Sequence, residues 1–75
     1  MKLQNRFGSV VRERREELRW SQEMLAERAA LNRSYLGEVE RGQVVPSLAT
    51  IDKLAAALEL RLSALFARCE AGLPV

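Results

Sequence analysis

Between Arg33 and Arg41 the chain sets an arginine, a serine, a tyrosine, a glycine and a glutamate around two apolar residues, Leu36 and Val39. If this stretch is helical with Leu36 and Val39 facing inward, then Arg33, Ser34, Tyr35, Gly37 and Glu38 form its outer surface. These side chains suit the edges of nucleic-acid bases. A planar arginine fork can donate two hydrogen bonds to O6 and N7 of guanine, and a glutamate can accept one from N4 of cytosine. Each good pair discriminates by about 1–3 kcal/mol. Tyr35 could stack on a sugar, touch a thymine methyl or donate to a phosphate. A glycine inside a helix costs roughly 0.5–1 kcal/mol against alanine, so Gly37 calls for a reason. Close approach to a groove floor and a crowded helix crossing are both open.

A second group suits phosphate. Gln22 stands at the start of a helix, where free N–H groups and the positive end of the helix dipole attract anions. Arg41 and Gln43 follow the Arg33 helix and complete the expected phosphate contacts with Ser21, Gln22 and Asn32. Contacts of this kind set register without reading sequence.

Little else in the chain could do chemistry. There is no histidine, and Cys69 is the one cysteine of the 75 residues. The usual general base, a thiolate metal set and an internal disulfide are thereby excluded. Neither a nucleophile–base set nor a phosphate-cradling loop is legible, so no enzyme activity, cofactor or metal is expected. No run of about eighteen apolar residues spans a membrane, and no apolar region follows the N-terminal charge as in a signal peptide. A cytoplasmic, reducing setting is the expectation. The net charge of +2 says little alone, but its distribution is uneven. Residues 1–41 carry nine Lys/Arg against seven Asp/Glu, and residues 42–75 carry three of each, so the excess lies in the first half.

The elements that must hold these groups are helices. Leu and Ala, strong helix formers, supply much of the apolar 48%, and the chain holds only two prolines and four glycines. Phe7, Val10, Val11 and Leu18 share one face of a first helix over Leu3 to Arg19. Ser21 caps a second helix, with Leu25 and Ala29 as its inner stripe. Asn32 caps a third, from Arg33 to about Arg41, and Gly42 ends it in a left-handed conformation. Gln43 to Pro46 is a loop, and Ser47 caps a fourth helix with the stripe Leu48, Ile51, Leu54, Ala55 and Leu58. A fifth, about Leu62 to Glu70, carries Leu65, Phe66 and Cys69, and the tail from Gly72 should fray. The expectation is one all-α domain over residues 1–75. Its second and third helices, about 21–41, make a helix-turn-helix, in which the second helix is free to enter a groove.

The ordered set Ser21-Gln22-x-x-Leu25-Ala26, Leu31-Asn32-Arg33-Ser34-Tyr35-Leu36-x-x-Val39-Glu40-Arg41-Gly42, Pro46-Ser47, Leu54-Ala55-x-x-Leu58 and Leu65-Phe66 closely resembles the lambda-repressor-like (XRE) family. The resemblance covers roughly residues 7–68. It implies a five-helix, sequence-specific DNA-binding transcription regulator with helix 33–41 in the major groove. It implies that Arg33, Ser34 and Glu38 read bases and that Gln22 clamps the backbone. It also implies that Arg15 and Glu40 form a largely buried ion pair fixing the tilt of the reading helix. The sequence departs from the family at Ala30 and Glu59, where glycine is frequent, and at Arg61, where a serine-type cap is common.

One reading helix touches few base pairs, so a homodimer on a palindromic operator is expected, with helices about 34 Å apart. Residues 60–75 are the expected dimerisation segment, through Leu62, Phe66, Cys69 and Leu73. In size and layout the chain is similar to restriction–modification controller proteins. The rival reading is an antitoxin that covers a toxin partner and represses its own gene, but no toxin-covering segment is visible. Nor is a patch for RNA polymerase.

Overall fold

Three of the helix starts are made by side chains immediately before them. Ser21 Oγ accepts from the backbone N–H of Met24 at 3.0 Å, and Ser47 Oγ from that of Thr50 at 3.1 Å. Asn32 Oδ1 accepts from both Ser34 and Tyr35, at 2.8 and 3.2 Å. Each such cap contributes about 1 kcal/mol by satisfying donors that a helix N-terminus leaves free. The computed structural model describes residues 2–72. Among them it has five helices and no strand: α1 (Leu3–Glu17), α2 (Gln22–Arg28), α3 (Arg33–Glu40), α4 (Leu48–Ala57) and α5 (Leu62–Ala71). None is long and apolar enough to cross a membrane. The last residues of the expected fraying tail and Leu73 of the expected dimer contacts lie outside the described residues.

The first four helices end in one way. A left-handed residue follows each C-cap, and the next residue donates its N–H back to the third-last helical carbonyl. These bonds are Trp20 to Arg15, Leu31 to Ala26, Gln43 to Glu38 and Leu60 to Ala55, at 2.8–3.1 Å. The left-handed residues are Arg19 (φ 61°), Ala30 (φ 55°), Gly42 (φ 74°) and Glu59 (φ 61°). Gly42 adopts the conformation its position suggested. Ala30 and Glu59 take it without being glycine, at a cost of about 1–2 kcal/mol each. Arg19 corrects the expected first helix: the backbone turns left-handed there, so α1 stops at Glu17. Arg61 precedes α5 without a side-chain cap.

α1 is the central strut, packing on α3 and α5, while α2 packs on α3 and α4 on α5. Val11, Leu25, Leu36, Leu54, Leu58, Leu65 and Cys69 are sealed from solvent. Burial of each large aliphatic among them contributes about 1.5–3 kcal/mol. Leu18, expected on the inner face of α1, is half-buried at its edge. Two arginines of α1 tie its flank to later parts of the chain. Arg14 Nε donates to the carbonyl of Leu58 at 3.0 Å, and Arg6 Nη2 to that of Arg68 at 3.1 Å.

The α1–α3 crossing is unusually close. A Cβ on Gly8 would lie 2.7 Å from the Glu40 carbonyl oxygen and inside contact with that of Val39. Only a glycine lets the helices meet at this separation. Gln4 Nε2 extends the contact by donating to the Gly42 carbonyl at 2.8 Å. The face of α1 thus sets where α3 sits, and so which of its residues can face outward.

Candidate nucleic-acid interface

α3 is anchored from below. Leu36 and Val39 are buried, and Glu40 at its last turn is buried with them. Arg15 of α1 grips Glu40 with two bonds, Nε to Oε2 at 2.8 Å and Nη2 to Oε1 at 3.0 Å. The side chains are only 11% and 3% exposed, and Arg15 Nη1 also donates to the Trp20 carbonyl at 2.9 Å. The hydrogen bond to Glu40, opposed by burial, holds the Arg15 guanidinium's pKa above its ordinary value. A fork-on-carboxylate pair with its remaining groups satisfied is the arrangement in which a buried pair is tolerable.

Above this pair sits Gln22. Its amide Nε2 donates to Glu40 Oε1 at 3.0 Å, which turns its oxygen outward to accept a long bond, 3.5 Å, from Arg33 Nη1. A continuous polar chain therefore runs from α1 through Arg15, Glu40 and Gln22 to the first outward residue of α3. One of the two Gln22 amide hydrogens is used in it, and the other remains for a ligand.

On the outer side, Gln22, Arg33, Ser34, Gly37, Glu38, Arg41 and Gln43 line one open concavity of about 400 Å³. Arg33 and Ser34 are exposed, and Glu38 is half-buried. Arg41 is exposed, with Nε donating to Gln43 Oε1 at 3.3 Å. The remaining expected contacts lie apart from this space. Ser21 and Asn32 spend side-chain oxygens on their caps, leaving the Ser21 hydroxyl and the Asn32 amide able to donate. Tyr35 is not on the open surface that the helix pattern suggested: it is half-buried against the core beside Leu36. Gly37 does line the concavity, but with little exposed surface of its own. The three atoms nearest a Cβ built there all belong to the Arg41 guanidinium, with Nη1 at 3.0 Å. The nearest atoms at Gly37 thus belong to a side chain just past α3 itself and not to a crossing helix. Gly8 is the glycine at a crowded crossing. The same argument from helix propensity that singled out Gly37 applies to it and could have found it.

The expected dimer contacts divide. Leu62 is 42% exposed and Phe66 half-buried, so both can meet another surface. Cys69 cannot, and this corrects the expectation. It is sealed in the core with Leu65, and burial pushes its thiol pKa up. Leu65 and Cys69, four residues apart, share the face of α5 that the monomer itself buries. Val45 and Leu48, by contrast, are the most exposed large apolar residues of the described chain, at 74% and 80%.

The sequence profile of a family described as Helix-turn-helix matches residues 11–65. The chain belongs to this Cro/XRE-type helix-turn-helix family. Its homologues include phage immunity repressors and restriction-modification controller proteins. It is 41% identical over 58 residues to an immunity repressor protein of Bacillus phage phi105. That match takes in 77% of this chain but only 40% of the phage protein. Control protein C.MunI from Mycoplasma sp is 36% identical over 66 residues, 87% of this chain and 89% of that one. The crystal structure of the restriction-modification controller protein C.AhdI from Aeromonas hydrophila superposes with a TM-score of 0.80 at 48% identity. It covers 83% of this chain and 94% of that one. In the terms of the family, α2 and α3 are the helix-turn-helix.

Proposed function

We propose that the chain is a sequence-specific reader of double-stranded DNA that binds a palindromic operator as a homodimer, with α3 in the major groove. The observation that carries this reading is the division of α3. One side is locked by Leu36, Val39 and the Arg15–Glu40 pair, while Arg33, Ser34 and Glu38 open onto the same concavity as Gln22 and Arg41. Arg33 is assigned to a guanine edge and Glu38 to a cytosine, with Ser34 and the Gly37 backbone beside them. Gln22, Arg41 and Gln43 are assigned to flanking phosphates, and the free donors of Ser21 and Asn32 to the same strand. Tyr35, with its ring against the core, is left with its hydroxyl as the contact. Leu62 and Phe66 are assigned to the dimer.

Selection from randomised duplex DNA tests the reading. The expected product is a palindrome with half-site centres about ten base pairs apart and an affinity that falls steeply with salt. Arg33→Ala should relax one base position in each half-site, costing about 1–3 kcal/mol, whereas loss of a phosphate contact weakens all sites alike. Failure to enrich any sequence would refute the proposal.

A further inference from the structure

A second concavity, about 300 Å³, adjoins the first and shares Gln22 and Arg41 with it. Its other walls are Arg12, Arg15 and Glu40. Three guanidinium groups thus face one carboxylate. The Arg15 charge is already met by Glu40, so the unmatched positive charge of this space belongs to Arg12 and Arg41. Neither is firmly held. Arg12 has 63% of its side chain exposed, and its ion pair is with Glu16, also exposed, at 3.3 Å. Such a surface pair contributes little and is readily exchanged. Arg41 gives only its Nε to the neutral Gln43 oxygen, leaving the ends of its fork free. Gln22, with one amide hydrogen uncommitted, lines the same space. On the far side of Arg12 the walls turn acidic, with Glu13 and Glu16 beside Ser9. An anion is therefore directed to the Arg41 side.

We propose that this concavity holds a backbone phosphate of the bound nucleic acid. Arg12 of α1 releases Glu16 to grip the phosphate from one side, Arg41 grips it from the other, and Gln22 donates between them. The inference rests on the DNA-binding reading and deepens it. It gives α1 a direct contact with the ligand, and Arg12 a role that neither the helix pattern nor the helix-turn-helix unit assigns. The Arg15–Glu40 pair then forms the floor of a phosphate site as well as the brace of the recognition helix.

Salt titration of binding to a random-sequence duplex tests it without requiring a known operator. Each basic side chain withdrawn from the phosphates lowers the slope of log affinity against log salt by about one. Arg12→Gln should reduce that slope by about one, while Arg12→Lys restores it. Between about 50 and 200 mM salt the wild type should therefore lose three- to four-fold more affinity than Arg12→Gln does. The melting temperature should not change, and base preference on any enriched site should be retained. Lys53→Gln on α4, which removes an equal charge elsewhere, should leave the slope intact. A wild-type slope in Arg12→Gln, or an equal loss in Lys53→Gln, overturns the phosphate site while leaving the DNA reading standing. If the wild type itself binds no duplex, both fall together.

Discussion

Replacing Gly37 by alanine should stabilise the protein and weaken its grip on DNA. The two effects have separate origins. In the folded chain the atoms nearest the new methyl belong to the Arg41 guanidinium, with Nη1 at 3.0 Å. That is the far end of a flexible side chain and can give way. The gain is the helix propensity of alanine over glycine, about 0.5–1 kcal/mol. For a domain of this size 1 kcal/mol moves the melting temperature by about 4–8 °C, so Gly37→Ala should melt about 2–8 °C higher. In the complex the methyl stands where α3 approaches the base edges, and it pushes Arg41 off its place. Losing one such contact costs about 1–3 kcal/mol, or about five- to 150-fold in affinity. Thermal denaturation and a binding titration at fixed salt read the two effects separately. Gly8→Ala is the internal contrast, with the same propensity gain. There the methyl meets the Val39 and Glu40 carbonyls, which are backbone and cannot swing aside. Overpacking should cost about 1–3 kcal/mol net. A lower melting temperature in Gly37→Ala would refute the packing argument. A higher one with unchanged affinity would refute the placement of Gly37 against DNA.

Other outcomes follow from the same geometry. Arg15→Ala and Glu40→Ala should each destabilise by about 3–5 kcal/mol, because each strands the other charge in a buried place. The double mutant should lose far less than the sum in a denaturant-unfolding cycle, and additive losses would show that the pair is not coupled. Glu59→Gly should stabilise by up to about 1 kcal/mol, because relief of the left-handed penalty outweighs the extra freedom glycine adds to the unfolded chain. Equal or lower stability by chemical denaturation would count against the φ of 61° at this position. The pH dependence has a definite sign at Glu17. Hydrogen bonds from Arg68 at 3.0 Å and then from Arg14 at 3.2 Å hold its carboxyl below the ordinary value of 4.5. A folded pKa below the unfolded one contributes stability above the ordinary carboxylate range, and that contribution is lost as the pH falls through the folded value. The wild type and Glu17→Gln should accordingly converge in melting temperature on acidification, and also in high salt, since Glu17 is exposed.

The helix starts were legible because capping is a local matter. Ser21, Asn32 and Ser47 each reach an N–H no more than three residues ahead, and no other part of the chain is needed. The apolar stripes were legible for a similar reason: a period of 3.6 residues tells which positions share a face, and Leu25, Leu36, Val39, Leu54 and Leu65 are buried accordingly, whereas Leu48, expected in the α4 stripe, is exposed at the first turn of that helix. The polar set on and around α3 could be read once its inward face was known. Most of it does converge on one concavity.

The remainder is a matter of angles between helices, which no local pattern carries. Periodicity places Tyr35 on the outer surface of its helix and leaves Cys69 open to a dimer contact. Only the packing of α3 and α5 against their neighbours decides that Tyr35 is half-covered and Cys69 fully sealed. Gly8 and Gly37 cost a helix the same amount in the sequence, yet one lies against backbone and the other under a movable arginine. Arg19 turns left-handed although nothing in its residue type asks for it, because Trp20 bonds back to Arg15 and so returns the chain toward α2. By itself the sequence determined where helices begin and which residues could do chemistry. The crossing of α1 with α3 decided which of those residues share a surface, because two helices in contact set each other's rotation through every side chain between them.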